Sequence, residues 1–309
     1  MKHIITIVGP TCIGKSKLAI HLAQTFGGEI VSADSRQVYR FMDIGTAKPS
    51  PKELSLVPHH LINILNPDEE FSLAQYQKLA HIALSNIQKR DNLPILIGGS
   101  GMYVWAVLEG WGIPRVAPNA KLRHNLEEEA LRIGANGLYR KLEEIDPIAV
   151  KHIEPSNIRR TIRALEVYEK TGALFSKLQH KESPEFKQLI IGLTADRTEL
   201  YRRTDSRVDE MVERGLTKEV ENLLNMGYDF TVPAMTSIGY REIGAFLKGE
   251  ITLATAVQQI KFGTHRFIRH QYNWFSLKDE RINWIDVSSI EESEITLLAD
   301  NLIRKHIYN

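Results

Sequence analysis

The sequence predicts an α/β fold: a P-loop-type parallel sheet core flanked by helices, with an all-α insertion domain. Three observations predict it. Residues 9–16 read Gly9-Pro10-Thr11-Cys12-Ile13-Gly14-Lys15-Ser16, a full match to the phosphate-loop pattern G-x-x-x-x-G-K-[ST]. The first third of the chain alternates short β-rich apolar runs with helical periodicity, the pattern of a parallel sheet with helices on its faces. That alternation stops near Gly112 and returns only near Gln188, leaving a charged, helical stretch between.

In chain order, Ile4-Ile5-Thr6-Ile7-Val8 reads as the first strand, feeding the glycine loop. Leu18 with Leu22 and Ala19 with Ala23 then give helical spacing from Lys15. Residues 29–32 form a second strand, 73–89 a helix, and 93–97 a third strand ending at Gly98-Gly99. From Asn119 to about Glu185 the text is helical, with Leu122, Leu126, Leu131, Leu138 and Leu142 on apolar stripes. Gln188-Leu189-Ile190-Ile191-Gly192-Leu193 reads as a strand returning to the sheet, and helices run from Arg197 to Trp274. Ile282-Asn283-Trp284-Ile285 has no evident place. The expected domains are a catalytic core of residues 1–112 and 187–309 and a helical insertion of residues 113–186.

Composition removes several function classes. Lys and Arg number 39 against 38 Asp and Glu, so no polybasic coat exists, although a local basic surface remains open. No apolar run approaches the ~20 residues of a membrane helix, and Met1-Lys2-His3 leads directly into a strand rather than a signal peptide. One cysteine, Cys12, rules out an internal disulfide and a cysteine-based zinc site. A cytoplasmic protein without a membrane partner is expected.

In a phosphate loop the glycines turn successive N–H groups onto an anion at a helix N-terminus, Lys15 adds positive charge, and Ser16 can ligate magnesium. NTP hydrolysis normally also needs an acid closing an adjacent strand, yet Ile95-Leu96-Ile97-Gly98-Gly99-Ser100-Gly101 has none. The second strand instead delivers Asp34-Ser35 to its C-terminal end, where open α/β sheets place their sites. Asp34 there either takes a proton from a nucleophile or caps the following turn. Two enzymes fit: a small-molecule kinase holding ATP in the loop, or a transferase holding a leaving diphosphate.

Several further segments resemble the bacterial tRNA dimethylallyltransferase family. They are Ile30-Val31-Ser32-Ala33-Asp34-Ser35-Arg36-Gln37-Val38-Tyr39, Met42-Asp43-Ile44-Gly45-Thr46-Ala47-Lys48-Pro49 and Pro58-His59-His60-Leu61-Ile62. Ile97-Gly98-Gly99-Ser100-Gly101-Met102-Tyr103, Asn157-Ile158-Arg159-Arg160-Thr161-Ile162-Arg163-Ala164-Leu165-Glu166 and Ser237-Ile238-Gly239-Tyr240-Arg241-Glu242 continue the series in order. The resemblance implies transfer of a dimethylallyl group from dimethylallyl diphosphate to N6 of the tRNA adenosine just 3′ of the anticodon (position 37), with magnesium bound. It implies that Gly9, Pro10, Thr11, Cys12, Ile13, Gly14, Lys15 and Ser16 hold the diphosphate and that Ser16 ligates the metal. Asp34 becomes the general base, and Thr11 and Arg241 become donors to the leaving group.

The same resemblance implies tRNA contacts from Asp34, Ser35, Arg36, Gln37, Ser100, Arg123, Ile158, Arg159, Arg160, Thr161, Arg163, Tyr240, Arg241, Arg266 and Arg269. Two stripes carry that expectation: Arg159 and Arg163 four apart with Arg160 beside them, and Lys261, His265 and Arg269 at i, i+4, i+8 followed by Tyr272, Trp274 and Phe275. The chain departs from the family at His265, His270 and Ser276, where basic residues are expected, and at Cys12 and Ile13, where smaller residues are usual. His59 and His60 have no third ligand and read as structural. The protein is expected to act as a monomer.

Overall fold

The computed structural model describes residues 2–114, 116–178, 181 and 186–308. The chain divides into two compact units, Met1–Leu108 with Glu185–Asn309, and Glu109–Pro184. In the first unit the order is β1 (Lys2–Val8), α1 (Lys15–Phe26), β2 (Gly28–Ser32), α2 (Pro51–Leu56), β3 (His59–His60), α3 (Leu73–Lys89), β4 (Leu93–Ile97) and α4 (Gly101–Leu108). The second unit holds α5 (Ala120–Ile145), α6 (Ile158–Thr171) and α7 (Phe175–Leu178). The chain then returns through β5 (Phe186–Thr194), α8 (Arg197–Glu213), α9 (Leu216–Asn225), α10 (Tyr240–Leu247), α11 (Leu253–Trp274), β6 (Ile282–Asp286) and α12 (Glu292–Tyr308).

All six strands are parallel, in the order β3-β2-β4-β1-β5-β6. β1 lies inside the sheet, which is why Ile4, Ile5, Ile7 and Val8 are all buried rather than alternating. Local chemistry sets the helix starts. Ser50 with Glu53 and Ser72 with Gln75 form capping boxes ahead of α2 and α3, and Gly27 takes φ 62° to end α1. The Ile282 run, unplaced by sequence, becomes the edge strand β6, paired with β5 from Ile190–Ile282 to Thr194–Asp286. No helix among the described residues is long and apolar enough to cross a membrane.

A second core joins the segment after β2 to the later helices, with Val38, Met42, Leu216, Tyr240 and Ile243 all fully buried. In the helical unit, Leu126, Leu138, Leu142, Ile162, Leu165 and Phe175 pack together. Leu131 departs from its expected stripe and is 87% exposed. Ala130, four residues after Leu126, is the buried residue in that turn, and Gly134, at φ 78° and ψ 163°, breaks α5 just beyond it.

Candidate active site

The loop of residues 9–16 joins β1 to α1. Gly9 sits at φ 138°, Cys12 at 63° and Gly14 at 100°, and such positive-φ turns between ordinary residues point backbone N–H groups into one concavity. A Cβ on Gly9 would lie 2.4 Å from the Leu193 carbonyl oxygen, so only glycine fits there. Gly14 caps α1 without any side-chain partner, leaving the helix's first N–H groups open to an anion. Lys15 curls back to donate to the Pro10 carbonyl at 2.6 Å, and burial pushes its amine down to about 8. Ser16 is exposed, whereas the Ile13 side chain packs in the core.

Two residues outside the loop complete it, and the sequence reading missed both. Arg207 of α8 donates from Nη1 to Cys12 Sγ at 3.6 Å, bringing a second cation to the loop. Nothing local distinguishes it from Arg202 and Arg203, which pair with Glu199 instead. Gln271 of α11, 3% exposed, accepts the Thr11 N–H on Oε1 at 2.9 Å and donates from Nε2 to the Gly99 carbonyl at 3.2 Å.

Asp34 follows β2, with β4 lying between it and the loop strand β1. β4 ends in Gly98-Gly99, where a Cβ on Gly98 would meet the Ala33 carbonyl oxygen at 2.2 Å. The intervening strand therefore contributes no side chain at its end. Asp34 Oδ1 accepts the Arg36 N–H at 2.8 Å and the Gln37 N–H at 3.4 Å. Oδ2 has no hydrogen-bond partner among the described residues. The carboxylate thus caps the turn with one oxygen and leaves the other without a protein partner among the described residues. Nearby, Tyr76 and Tyr103 stack with centroids 3.8 Å apart. Burial raises both phenols, and the Asp34 charge adds to the effect.

The Asp34 turn is held from several sides. Ser100 Oγ accepts the Ser35 N–H at 3.2 Å. Gln37 donates to the Thr46 and Ala47 carbonyls and pairs with Ser32 Oγ, and Arg36 reaches the Pro233 carbonyl. Beyond it, the Glu219 carboxylate of α9 gathers the N–H groups of Asp43, Ile44 and Gly45 at 2.7–3.0 Å together with the Tyr240 hydroxyl at 2.7 Å. A Cβ on Gly45 would strike the Tyr240 ring at 2.5 Å.

Several expected RNA-facing residues have other positions. Tyr240 is fully buried under Glu219, and Thr161 is 1% exposed with its hydroxyl on the Asn157 carbonyl, so neither presents its side chain to a macromolecule. Arg123 and Arg163 both grip Glu166, which is fully buried, and Arg163 also donates to the Pro114 and Val116 carbonyls. Burial drives the Glu166 carboxyl up, but these arginines and the Asn119 N–H outweigh it and hold it at about 2. Ile158 is half-buried, while Arg159 and Arg160 are exposed on the same helix.

The stripe on α11 is partnered along α8, with Arg269 still exposed. Lys261 pairs with Asp209 at 2.8 Å, His265 with Asp205 at 2.8 Å, and Arg269 Nη1 donates to the Tyr201 hydroxyl at 2.9 Å. Three residues four apart on α11 meet three residues four apart on α8, so this face is a helix–helix ladder. Phe275 is buried and Tyr272 bonds Thr194, whereas Arg266 and His270 remain exposed. Arg241, expected at the leaving group, has a side chain 65% exposed with its guanidinium on Glu242, while Arg207 reaches the loop at Cys12. His60 bonds Glu29 and His59 bonds the Val57 carbonyl.

A six-stranded parallel sheet with a glycine–lysine loop after its interior strand defines an α/β protein of the phosphate-loop type. The chain matches the IPP transferase family over residues 37–278, and it belongs to that family. It is 53% identical over 307 residues to the tRNA dimethylallyltransferase of Roseiflexus sp. (strain RS-1), covering 99% of both chains. It is 50% identical over 287 residues to that of Thermomicrobium roseum, covering 93% of this chain and 87% of the relative. Among solved structures, a tRNA isopentenylpyrophosphate transferase from Bacillus halodurans superposes with TM-score 0.75 at 38% identity, over 99% of this chain and 97% of that one. A eukaryotic dimethylallyltransferase acting on tRNA gives 0.84 at 26% identity, over 99% and 80%.

Proposed function

We propose that this chain is a tRNA dimethylallyltransferase that moves a dimethylallyl group from dimethylallyl diphosphate to N6 of the adenosine 3′ of the anticodon. The observation that carries the residue-level reading is the pairing of an open phosphate loop after β1 with an Asp34 oxygen left unpartnered after β2, across glycines that end β4. In that reading the loop N–H groups, Lys15 and Arg207 hold the diphosphate. The exocyclic nitrogen attacks the allylic carbon, a C–N bond forms as the C–O bond breaks, and the diphosphate leaves with the bonding electron pair. Asp34 Oδ2 takes the N6 proton, which removes the charge that makes an amine attack unfavourable. Positive groups fixed around the loop stabilise charge growing on the departing oxygen.

Magnesium fits this site. Ser16 places one exposed hydroxyl at the first turn of α1, and the described residues contain no cluster of three His, Cys, Asp or Glu groups that would form an all-protein cage. Magnesium commonly takes few protein oxygens and completes its shell with phosphate oxygens and water. Bound there, it would neutralise diphosphate charge. Exposed Arg159, Arg160, Arg241 and Arg266 are the arginines we assign to tRNA phosphates, with the protein acting as a cytoplasmic monomer.

The test is label transfer from dimethylallyl diphosphate to unmodified tRNA, beside a tRNA carrying another base at the target position. Transfer to the first and not the second is expected. Folded protein that moves no label in magnesium overturns the proposal, and ATP turnover stimulated by a small alcohol would favour a kinase instead.

A further inference from the structure

We infer that Gln271 is the positioning residue of the phosphate loop, setting its geometry from α11. This rests on the reading of residues 9–16 as the diphosphate site. The carboxamide is buried and both its ends are engaged, Oε1 by the Thr11 N–H and Nε2 by the Gly99 carbonyl. Contact is close enough that a Cβ on Gly99 would lie 2.1 Å from Nε2. One side chain therefore braces the loop after β1 against the end of β4, just beyond the strand pairing that closes with the Gly98 N–H on the Ile7 carbonyl at 3.2 Å. It also takes one loop N–H out of phosphate binding, so the anion is left to the N–H groups nearer α1.

The helix carrying Gln271 is itself anchored on both sides. The ladder to α8 precedes it. After it, the Trp274 carbonyl accepts Trp105 Nε1 at 3.0 Å, and Trp274 packs where a Cβ on Gly101 would lie 2.2 Å away. A displacement of α11 is thus passed to Thr11 through a rigid amide.

Chemistry at this position is selective. Leucine leaves the Thr11 N–H and the Gly99 oxygen both unpaired. Ionised glutamate accepts from Thr11 but sets a carboxylate oxygen against the Gly99 carbonyl, whereas protonated glutamate reproduces the amide, with C=O accepting and O–H donating. The experiment uses Gln271→Leu and Gln271→Glu in the full chain. It reads amide exchange at Thr11, magnesium–pyrophosphate affinity, and KM for dimethylallyl diphosphate and tRNA.

Gln271→Leu should speed exchange at Thr11 and weaken pyrophosphate and dimethylallyl diphosphate about ten- to a hundredfold, with KM for tRNA within about twofold. Measured against wild type at the same pH, which removes the Lys15 titration, Gln271→Glu should show the same loss at pH 8 and recover at pH 6, a reversal that general destabilisation does not produce. Unchanged Thr11 exchange and pyrophosphate affinity in a folded variant overturn the inference. So does a Gln271→Glu loss without pH recovery, or an equal loss of tRNA and diphosphate binding. Wild-type protein that binds pyrophosphate but transfers no label would remove the transferase reading and leave this one standing.

Discussion

β2 carries an acid near each end, and the two have opposite fates. Glu29, at its start, is 4% exposed and receives Arg90 through both Nε and Nη2, Asn92 at 2.8 Å and His60 at 2.6 Å. Burial raises this carboxyl, yet the hydrogen bonds from Arg90, Asn92 and His60 prevail and hold it at about 2. Asp34, just past the strand's C-terminal end, is half-buried and keeps Oδ2 unpartnered among the described residues. A saturated acid is fixed in charge and place, so it can stabilise a fold but cannot move a proton. An acid with one oxygen held and one open is oriented and still reactive. The contrast follows from topology, because strand C-termini in an open parallel sheet face the crevice.

The largest expected effect tests the reactive end. Asp34→Asn keeps the Oδ1 acceptor for the turn and removes the base, so transfer should fall about 10²–10⁴-fold, with the urea midpoint unchanged. A matching loss of stability would mean that Asp34 serves mainly as a cap. At the saturated end, Glu29→Leu leaves Asn92 and the half-exposed guanidinium of Arg90 without their acceptor and should cost about 1–3 kcal/mol in denaturant unfolding, with transfer per folded molecule retained. The wild-type contribution of Glu29 is present above its unfolded value near 4.5 and is lost as pH falls towards 2, so the variant should lack that acid step.

A smaller effect sharpens the role of the loop. Lys15 sits at about 8 in the free protein, so it loses its charge as pH rises through that value. Diphosphate affinity by calorimetry should then weaken above pH 8, about tenfold per unit at the limit, with proton uptake on binding; Lys15→Met should remove the dependence. The smallest effect concerns the ladder. Lys261→Ala should change stability by no more than about 1 kcal/mol and leave the salt dependence of tRNA binding intact, since its amine pairs with Asp209.

Much of this was legible in the sequence because the informative signals are local. The phosphate loop, the helix over 73–89 and the position of Asp34 after β2 all follow from short local patterns. Arg207 and Gln271 were not legible, since each is defined by a partner 195 or 260 residues away and resembles its neighbours in pattern. Charge stripes misled for a related reason. Arg159 and Arg163 look equivalent in spacing, yet Arg163 is taken by Glu166, three residues on. Lys261, His265 and Arg269 read as a face for RNA because the sequence does not show α8 lying alongside. The departure at His265 falls on a residue that pairs with Asp205 of α8.

Glu219 has a consequence for the order of events at the ribosome. Its carboxylate gathers Asp43, Ile44 and Gly45, and Gly45 precedes it by 174 residues. At about 5–20 residues per second, the segment following Asp34 waits roughly 10–35 seconds for the group that fixes it. The phosphate loop and β2 emerge early, but their anchors on α8, α9 and α11 are synthesised late, so a nascent chain carries the sequence of the site well before it carries the site.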